Sequence, residues 1–179
     1  MPDMRAETAV RRTLKLFGPS IIPVPRIYIG YHNRVEVDCD CIRILELQDY
    51  CNVAPAQAWN DLLNMALALK DVKISFISST PQGGGVAMMR HSMVRLARLL
   101  GLDLSWFVVR PSFNIFKITK RKFHNVLQGI SKEFLTREEI AAYEKWIQDN
   151  GKVYWKSQIF PESKIIVLDD PQYLLLILF

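Results

Sequence analysis

The run VKISFISSTPQGGGVAMMRHSMVRLARLLGLDLSWFVV, Val72 to Val109, decides the fold. It opens with an apolar run of strand length, Val72 to Ser78, and passes through Thr80, Pro81 and Gln82 to three consecutive glycines, Gly83 to Gly85. From Val86 to Leu100 the pattern has a helical period, which Gly101 stops. Leu104 to Val109 is a second short strand. Strand, glycine turn, helix and strand make a βαβ unit, and a crossover of that kind predicts two parallel strands. On a helical wheel Val86, Met89, Met93, Leu96, Ala97 and Leu100 share one arc, predicted to pack on the sheet, with His91, Arg95 and Arg98 opposite.

Working outward toward the N-terminus, Ala56 to Lys70 is rich in Ala and Leu, lacks Gly and follows Pro55, which predicts a helix with proline at its start. Before it, Arg26 to Leu47 carries β-branched and aromatic residues in short alternating runs, with turn candidates at His32-Asn33 and Asp38 to Asp40. That pattern predicts a β-meander. A short amphipathic helix is expected from Thr8 to Phe17, ended by Gly18 and Pro19, and Pro23 and Pro25 keep the chain extended. Toward the C-terminus a helix is expected from Ser112 to about Gln128. A second follows from Thr136 to Asn150, with Thr136 as N-cap and Glu139 completing a capping box, and then a strand from Lys164 to Leu168. The fold class is α/β: a Rossmann-like parallel sheet flanked by helices, with an N-terminal β-meander.

Composition bounds what such a domain can be. The chain has 179 residues, a length that predicts one domain. Half the residues are hydrophobic and only eight are Gly and nine Pro, which excludes collagen-like, low-complexity and wholly disordered chains. Cys39, Cys41 and Cys51 leave an odd thiol and match no four-ligand metal spacing, so no metal is expected and a reducing compartment fits best. The formal charge of +5 favours anionic partners. The basic segment Met4 to Phe17 holds Glu7 beside Asp3 and almost no Ser, unlike a mitochondrial presequence. The apolar run Tyr173 to Phe179 is far shorter than the roughly 20 residues of a membrane span. No membrane association and a cytoplasmic location are expected.

Three constellations could carry chemistry. Gly83, Gly84 and Gly85 lie between a buried strand and the first turn of a helix. Without Cβ atoms they let backbone N–H groups converge on a ligand at the positive end of the helix dipole, which suits a phosphate; the plain alternative is a tight turn. A dinucleotide fingerprint would need a small residue where Met88 stands, and a Walker loop would need Gly-Lys-Ser/Thr. The second constellation is ITKRKFHNVLQG, Ile118 to Gly129. At 100° per residue Lys117, Arg121, His124 and Gln128 share one edge, bordered by Lys120, beside an apolar arc of Phe116, Phe123, Leu127 and Ile130. His, Asn and Gln supply the donors and acceptors that sugar hydroxyls require. A solvated basic face or a nucleic-acid patch from Lys117 to Lys122 are the competing readings. The third, Leu168-Asp169-Asp170-Pro171-Gln172, closes the last strand. Ligands of open parallel sheets bind outside the carboxyl ends of strands, so Asp170 and Gln172 would share a rim with the glycine loop if the sheet order brings those strands together. A surface turn is the alternative. His32 and His91 pair with no nucleophile or metal-like cluster in sequence and receive no catalytic role.

The run FISSTPQGGGVAMMRHSMVRLARLLGLDLSWFVV, followed by FKITKRKFHNVLQG and IIVLDDPQ, resembles the fungal trehalose phosphorylase and trehalose synthase group, above all its clock-controlled members. These are retaining glycosyltransferases of the GT-B fold. PRIYIGYHNRVEVD and AWNDLL stand in matching order, so the resemblance covers about Phe17 to Gln172. It implies the N-terminal, acceptor-side half of an enzyme in which two Rossmann-like domains face each other across a cleft. It further implies glucosyl transfer with retention, either reversible phosphorolysis of trehalose or its synthesis from an activated glucose. On that reading Gly83, Gly84, Gly85 and Lys120 would face the phosphate, while His124, Asn125, Asp170 and Gln172 would orient the sugar. Expected partners are trehalose or glucose with phosphate, glucose 1-phosphate or a nucleotide sugar; no cofactor and no nucleic acid are expected. The family continues past the Asp-Pro-Gln segment into further strands and a donor-binding domain, whereas YLLLILF does not look like that continuation. The expectation is therefore a single domain over residues 1–179, truncated at both ends and inactive alone, whose apolar end is a surface for self-association into a homo-oligomer. A noncatalytic sugar- or phosphate-binding module, or a regulatory fragment of a full-length enzyme, accepts the same motifs.

Overall fold

A computed structural model describes residues 26–38, 46–82, 84–132 and 134–178, together with Thr8, Arg11 and Arg12. Most of the expected helix from Thr8 to Phe17, the third run of the expected meander at 42–45, and Gly83 lie outside the described residues.

Strand β1 (Arg26–Ile29) and strand β2 (Val35–Asp38) form an antiparallel hairpin, Ile27 opposite Val37. The turn between them, Tyr31–Asn33, holds His32 at φ 56° and Asn33 at φ 58°, left-handed values that Asn and His tolerate better than most side chains. Leu47, read as the last strand residue of the meander, instead opens helix α1 (Leu47–Val53). Glu46 and Asp49 form a reciprocal capping box there, a local signal that outweighs the β-branched run before it. Helix α2 (Ala56–Ala68) follows Pro55 as expected.

The βαβ unit forms as the opening run predicts. Strand β3 (Ile74–Ser78) leads into helix α3 (Gly84–Leu99), and strand β4 (Leu104–Val108) returns parallel to β3 with Ile74 opposite Leu104 and Ser78 opposite Val108. Gly101, at φ 72°, supplies the left-handed residue that ends α3. The chain then runs through helix α4 (Phe113–Lys117), a π-turn (Ile118–Phe123) and helix α5 (His124–Leu127). Helix α6 (Arg137–Asn150), a second π-turn (Gly151–Trp155) and helix α7 (Ile159–Glu162) lead to strand β5 (Ile165–Leu168). Strand β5 pairs parallel with the other edge of β3, giving the order β4-β3-β5. The sheet is thus α/β and Rossmann-like, with β3 central and the chain departing from it in both directions.

Alternation along the strands splits the core between the two faces. Phe76, Trp106 and Val108 point to one face, where they meet Val35 and Val37 of the hairpin and Val94 of α3. Ile77, Phe107 and Val109 point to the other, where they meet Ile115, Ile118, Tyr143, Ile147 and Trp155. The buried side of α3 keeps part of the arc the wheel gave: Ala97 is buried, Met93 packs on the core, and Leu96 and Leu100 are half-buried. Ala87, Val94 and Ala97 are buried, whereas Val86 and Met89 are 52% and 65% exposed. A wheel scored on hydrophobicity excludes Arg90, yet Arg90 turns inward and pairs with Asp169, so the packed face runs through Ala87, Arg90, Met93, Val94 and Ala97 and is shifted from the predicted arc at its N-terminal end. The apolar tail is not left wholly in solvent. It forms a 3-10 segment (Pro171–Leu178) that sinks Tyr173 and Leu176 into the core and leaves Ile177 and Leu178 exposed.

Candidate functional site

The carboxyl ends of the three parallel strands open into one cleft of about 1050 Å³, a size typical of small-molecule sites. Ser79 and Thr80 line it after β3, Val109 and Pro111 after β4, and Asp169 and Asp170 after β5. Because β3 lies between the other two, this is the point where strand order reverses and connections diverge, which leaves a crevice. The far wall comes from the π-turn and α5 (Thr119, Lys122, His124, Leu127) and from α6 (Ile140, Tyr143, Trp146).

The rim is held by polar contacts. The Arg90 guanidinium, on α3, pairs with Asp169 beyond β5 and lies 6.0 Å over the Phe76 ring, so the glycine-led helix and the Asp-Pro-Gln turn are tied together. The Asp169 amide donates to the Ile77 carbonyl at 3.0 Å. His91 acts structurally, because its Nε2–H donates to the Pro81 carbonyl at 2.8 Å and its ring rests 5.5 Å from Trp106, which fixes the path of the loop entering α3. At the β4 end the Arg110 amide donates to Asn150 Oδ1 at 2.6 Å, and the Trp146 indole N–H donates to the Arg110 carbonyl at 2.9 Å.

Of the residues expected to bind substrate, His124 and Asp170 are brought together as lining of this cleft. Gly84 and Gly85 form the first turn of α3, joined to the same rim through the Arg90–Asp169 pair, and Gly85 is not among the described lining residues. Asn125 is half-buried outside the lining, and its carbonyl accepts from the amides of Ile130 and Ser131. Gly83 and the side chains of Lys120 and Gln172 are outside the described residues. The expected basic edge of Lys117, Arg121, His124 and Gln128 does not survive as a unit. An i to i+5 turn runs from Ile118 to Phe123, shown by the His124 amide bonding the Thr119 carbonyl, and adds a residue where the wheel assumed none. Ile115 and Ile118 are buried, while Phe116, Leu127 and Ile130 of the predicted apolar arc are exposed. Lys122, rather than Lys117 or Arg121, turns into the cleft and meets Glu139 at 2.7 Å.

Sequence reasoning missed the aromatic floor. Tyr143, Trp146 and Tyr173 line the cleft together, neighbouring ring centroids 6.2 Å apart. Burial, with the Asp170 charge adding to it, pushes the Tyr143 phenol up to about 12, and the same two causes raise Tyr173, opposed in part by its hydrogen bond with Ser79. Both phenols therefore stay protonated at neutral pH and keep their O–H donors. Burial holds Arg90 below its ordinary value, opposed chiefly by the charge of Asp170. The helical period of Ile140, Tyr143 and Ile147 was the available signal, but period alone cannot separate a core tyrosine from a cleft-lining one.

Residues 76–179 match the family described as trehalose synthase, N-terminal domain. That match runs through the last residue, so it includes the apolar tail expected to depart from the family. The trehalose phosphorylase of Pleurotus pulmonarius is 39% identical over 95% of this chain and 24% of its own length. That of Grifola frondosa is 37% identical over 95% and 24%. The trehalose synthase of Thermococcus litoralis is 34% identical over 70% of this chain and 29% of its own length. The chain thus spans about a quarter of the length of the curated relatives it matches. Among the described residues, no helix is long and apolar enough to cross a membrane. With the family match extending over more than half the residues, from the central strand to the last, the chain belongs to the trehalose synthase N-terminal domain family.

Proposed function

We propose that this chain is the sugar- and anion-binding domain of a retaining glucosyltransferase acting on trehalose. The observation that carries the reading is the cleft at the carboxyl ends of the sheet, with Asp170 and His124 in its wall and a glycine-led helix on its rim. A carboxylate accepts two or more sugar hydroxyls and an imidazole serves one donor or acceptor, which orients a hexose without breaking bonds. Gly83, Gly84 and Gly85, with Lys120, would present N–H groups and positive charge to a phosphate.

In phosphorolysis the C1–O bond of trehalose breaks and a C1–O bond to phosphate forms on the same face of the sugar. The proton on phosphate passes to the departing glucose oxygen. In the synthetic direction the leaving phosphate takes the acceptor proton. Both directions place charge on phosphate oxygens in the transition state, where amides and a cation stabilise it. Asn125 and Gln172 complete the sugar set on this reading. Relatives named for both activities support the substrate class and leave the donor, a sugar phosphate or a nucleotide sugar, as alternatives within it.

The test is calorimetric or NMR titration of the 179-residue chain with glucose, trehalose and phosphate. Asp170→Asn and His124→Ala are expected to weaken sugar binding about tenfold each, the scale of a lost charged or neutral hydrogen bond, while phosphate binding changes less. Sugar affinity unchanged in both variants would contradict the assignment.

A further inference from the structure

The proposed sugar contacts use only part of the cleft. Its far wall is largely apolar and open: Leu127 and Phe134 are 80% and 90% exposed, and Phe116, Val126 and Ile140, which line the same cleft, are exposed as well. Large apolar side chains scattered singly over a surface are ordinary, but five that line one concavity form a patch, and such patches mark binding surfaces. Two segments build this wall, the run from α4 to α5 and the one leading into α6, and the Lys122–Glu139 ion pair at 2.7 Å ties them together. Sugar hydroxyls gain nothing against such a wall, whereas an alkyl or aryl group gains the free energy of leaving water. Ser79, Thr80 and Asp170 supply polar lining at the carboxyl ends of the strands, and His124 stands beside the apolar residues. Both kinds of surface face one cavity of about 1050 Å³, room for a ligand well beyond a single hexose. A membrane or a flat protein face would meet the wall and miss the strand ends, so a small molecule with a polar head and an apolar end is what satisfies both.

We propose that the cleft takes a glucoside that carries an apolar substituent, its hydroxyls facing Asp170 and His124 and its alkyl or aryl group lying on the wall of Leu127 and Phe134. The proposal deepens the sugar-binding reading above, names a ligand class for the same site, and rests on it. The polar end fixes the orientation of the sugar, and the wall adds affinity in proportion to the apolar area it covers.

The experiment titrates the full 179-residue chain with methyl α-glucoside and hexyl α-glucoside by calorimetry. Hexyl glucoside is expected to bind about 10- to 100-fold tighter, because part of its longer chain leaves water on the wall. Leu127→Ser and Phe134→Ser change exposed side chains outside the core, and each is expected to remove about 3- to 10-fold of that gain. Ile177→Ser, at an exposed apolar residue of the other pocket, is expected to leave the gain intact. Equal affinity for the two glucosides, or a gain that survives in both wall variants or falls as much in Ile177→Ser, overturns the apolar subsite. Asp170→Asn then reports separately on the sugar site, whose reading stands if methyl glucoside binding still weakens. A concentration-dependent dimer in sedimentation, dispersed by Phe134→Ser and accompanied by no gain for hexyl glucoside, overturns the proposal by making the wall a protein interface. Absence of binding of both glucosides by wild type overturns the sugar-binding reading and this proposal with it.

Discussion

Gly85 occupies the first turn of α3 for no reason that packing supplies. A Cβ built there meets nothing within 4 Å, and the residue does not have the left-handed backbone of Gly101 or Gly129. A glycine that neither sterics nor φ requires costs helix stability, and on the proposed reading it stands there so that a phosphate can approach the backbone. Gly85→Ala is therefore expected to stabilise the chain by up to about 0.5–1 kcal/mol in urea unfolding while weakening phosphate binding in a titration. Loss of stability, or unaltered phosphate affinity, would return Gly85 to the role of a simple turn. Arg90 shows the complementary case. The sequence reading gave it no place, and its partner Asp169, 79 positions away in sequence, is what turns it inward.

At the scale of elements, local signals were legible and phase was not. The capping box of α6 is complete: Thr136 Oγ1 accepts from the Glu139 amide at 3.2 Å and the Glu139 carboxylate accepts from the Thr136 amide at 2.9 Å. Backbone and Lys122 contacts hold the Glu139 carboxyl below its usual range, with the Lys122 hydrogen bond the largest cause. Thr136→Ala is expected to cost about 1 kcal/mol in urea unfolding with the slope unchanged. Because α6 carries Tyr143 and Trp146, the same substitution should weaken sugar binding slightly and phosphate binding not at all. A capping box needs four neighbouring residues and nothing else, which is why it can be read directly. A π-turn leaves no trace in a 100° period, which is why a wheel run unbroken through Ile118–Phe123 misplaced Leu127 and Ile130 and hid the cleft-facing Lys122. Helix α1 was equally hidden, since its capping box begins inside a run that alternates like a strand.

At the scale of the whole molecule, the sheet order makes the rest possible. Parallel pairing of β5 with β3 brings the Asp169–Asp170 turn to the loop after β3, and β4 on the other side opens the crevice between them. The βαβ unit was legible from one glycine-punctuated stretch, and with it the rim of the cleft. Which side chains line that rim was not, because Tyr143, Trp146 and Tyr173 arrive from segments whose packing depends on the complete fold. Two ligand positions around one crevice carry the proposed function: an anion at the start of α3 and a hexose between His124 and Asp170. A crystal structure of the 179-residue chain with glucose and phosphate would locate both at once. Phosphate is expected on the amides at Gly84 and Gly85, and the sugar within hydrogen-bond distance of His124 and Asp170. Both ligands seated away from that rim, for instance in the apolar pocket beside Phe160 and Leu176, would contradict it.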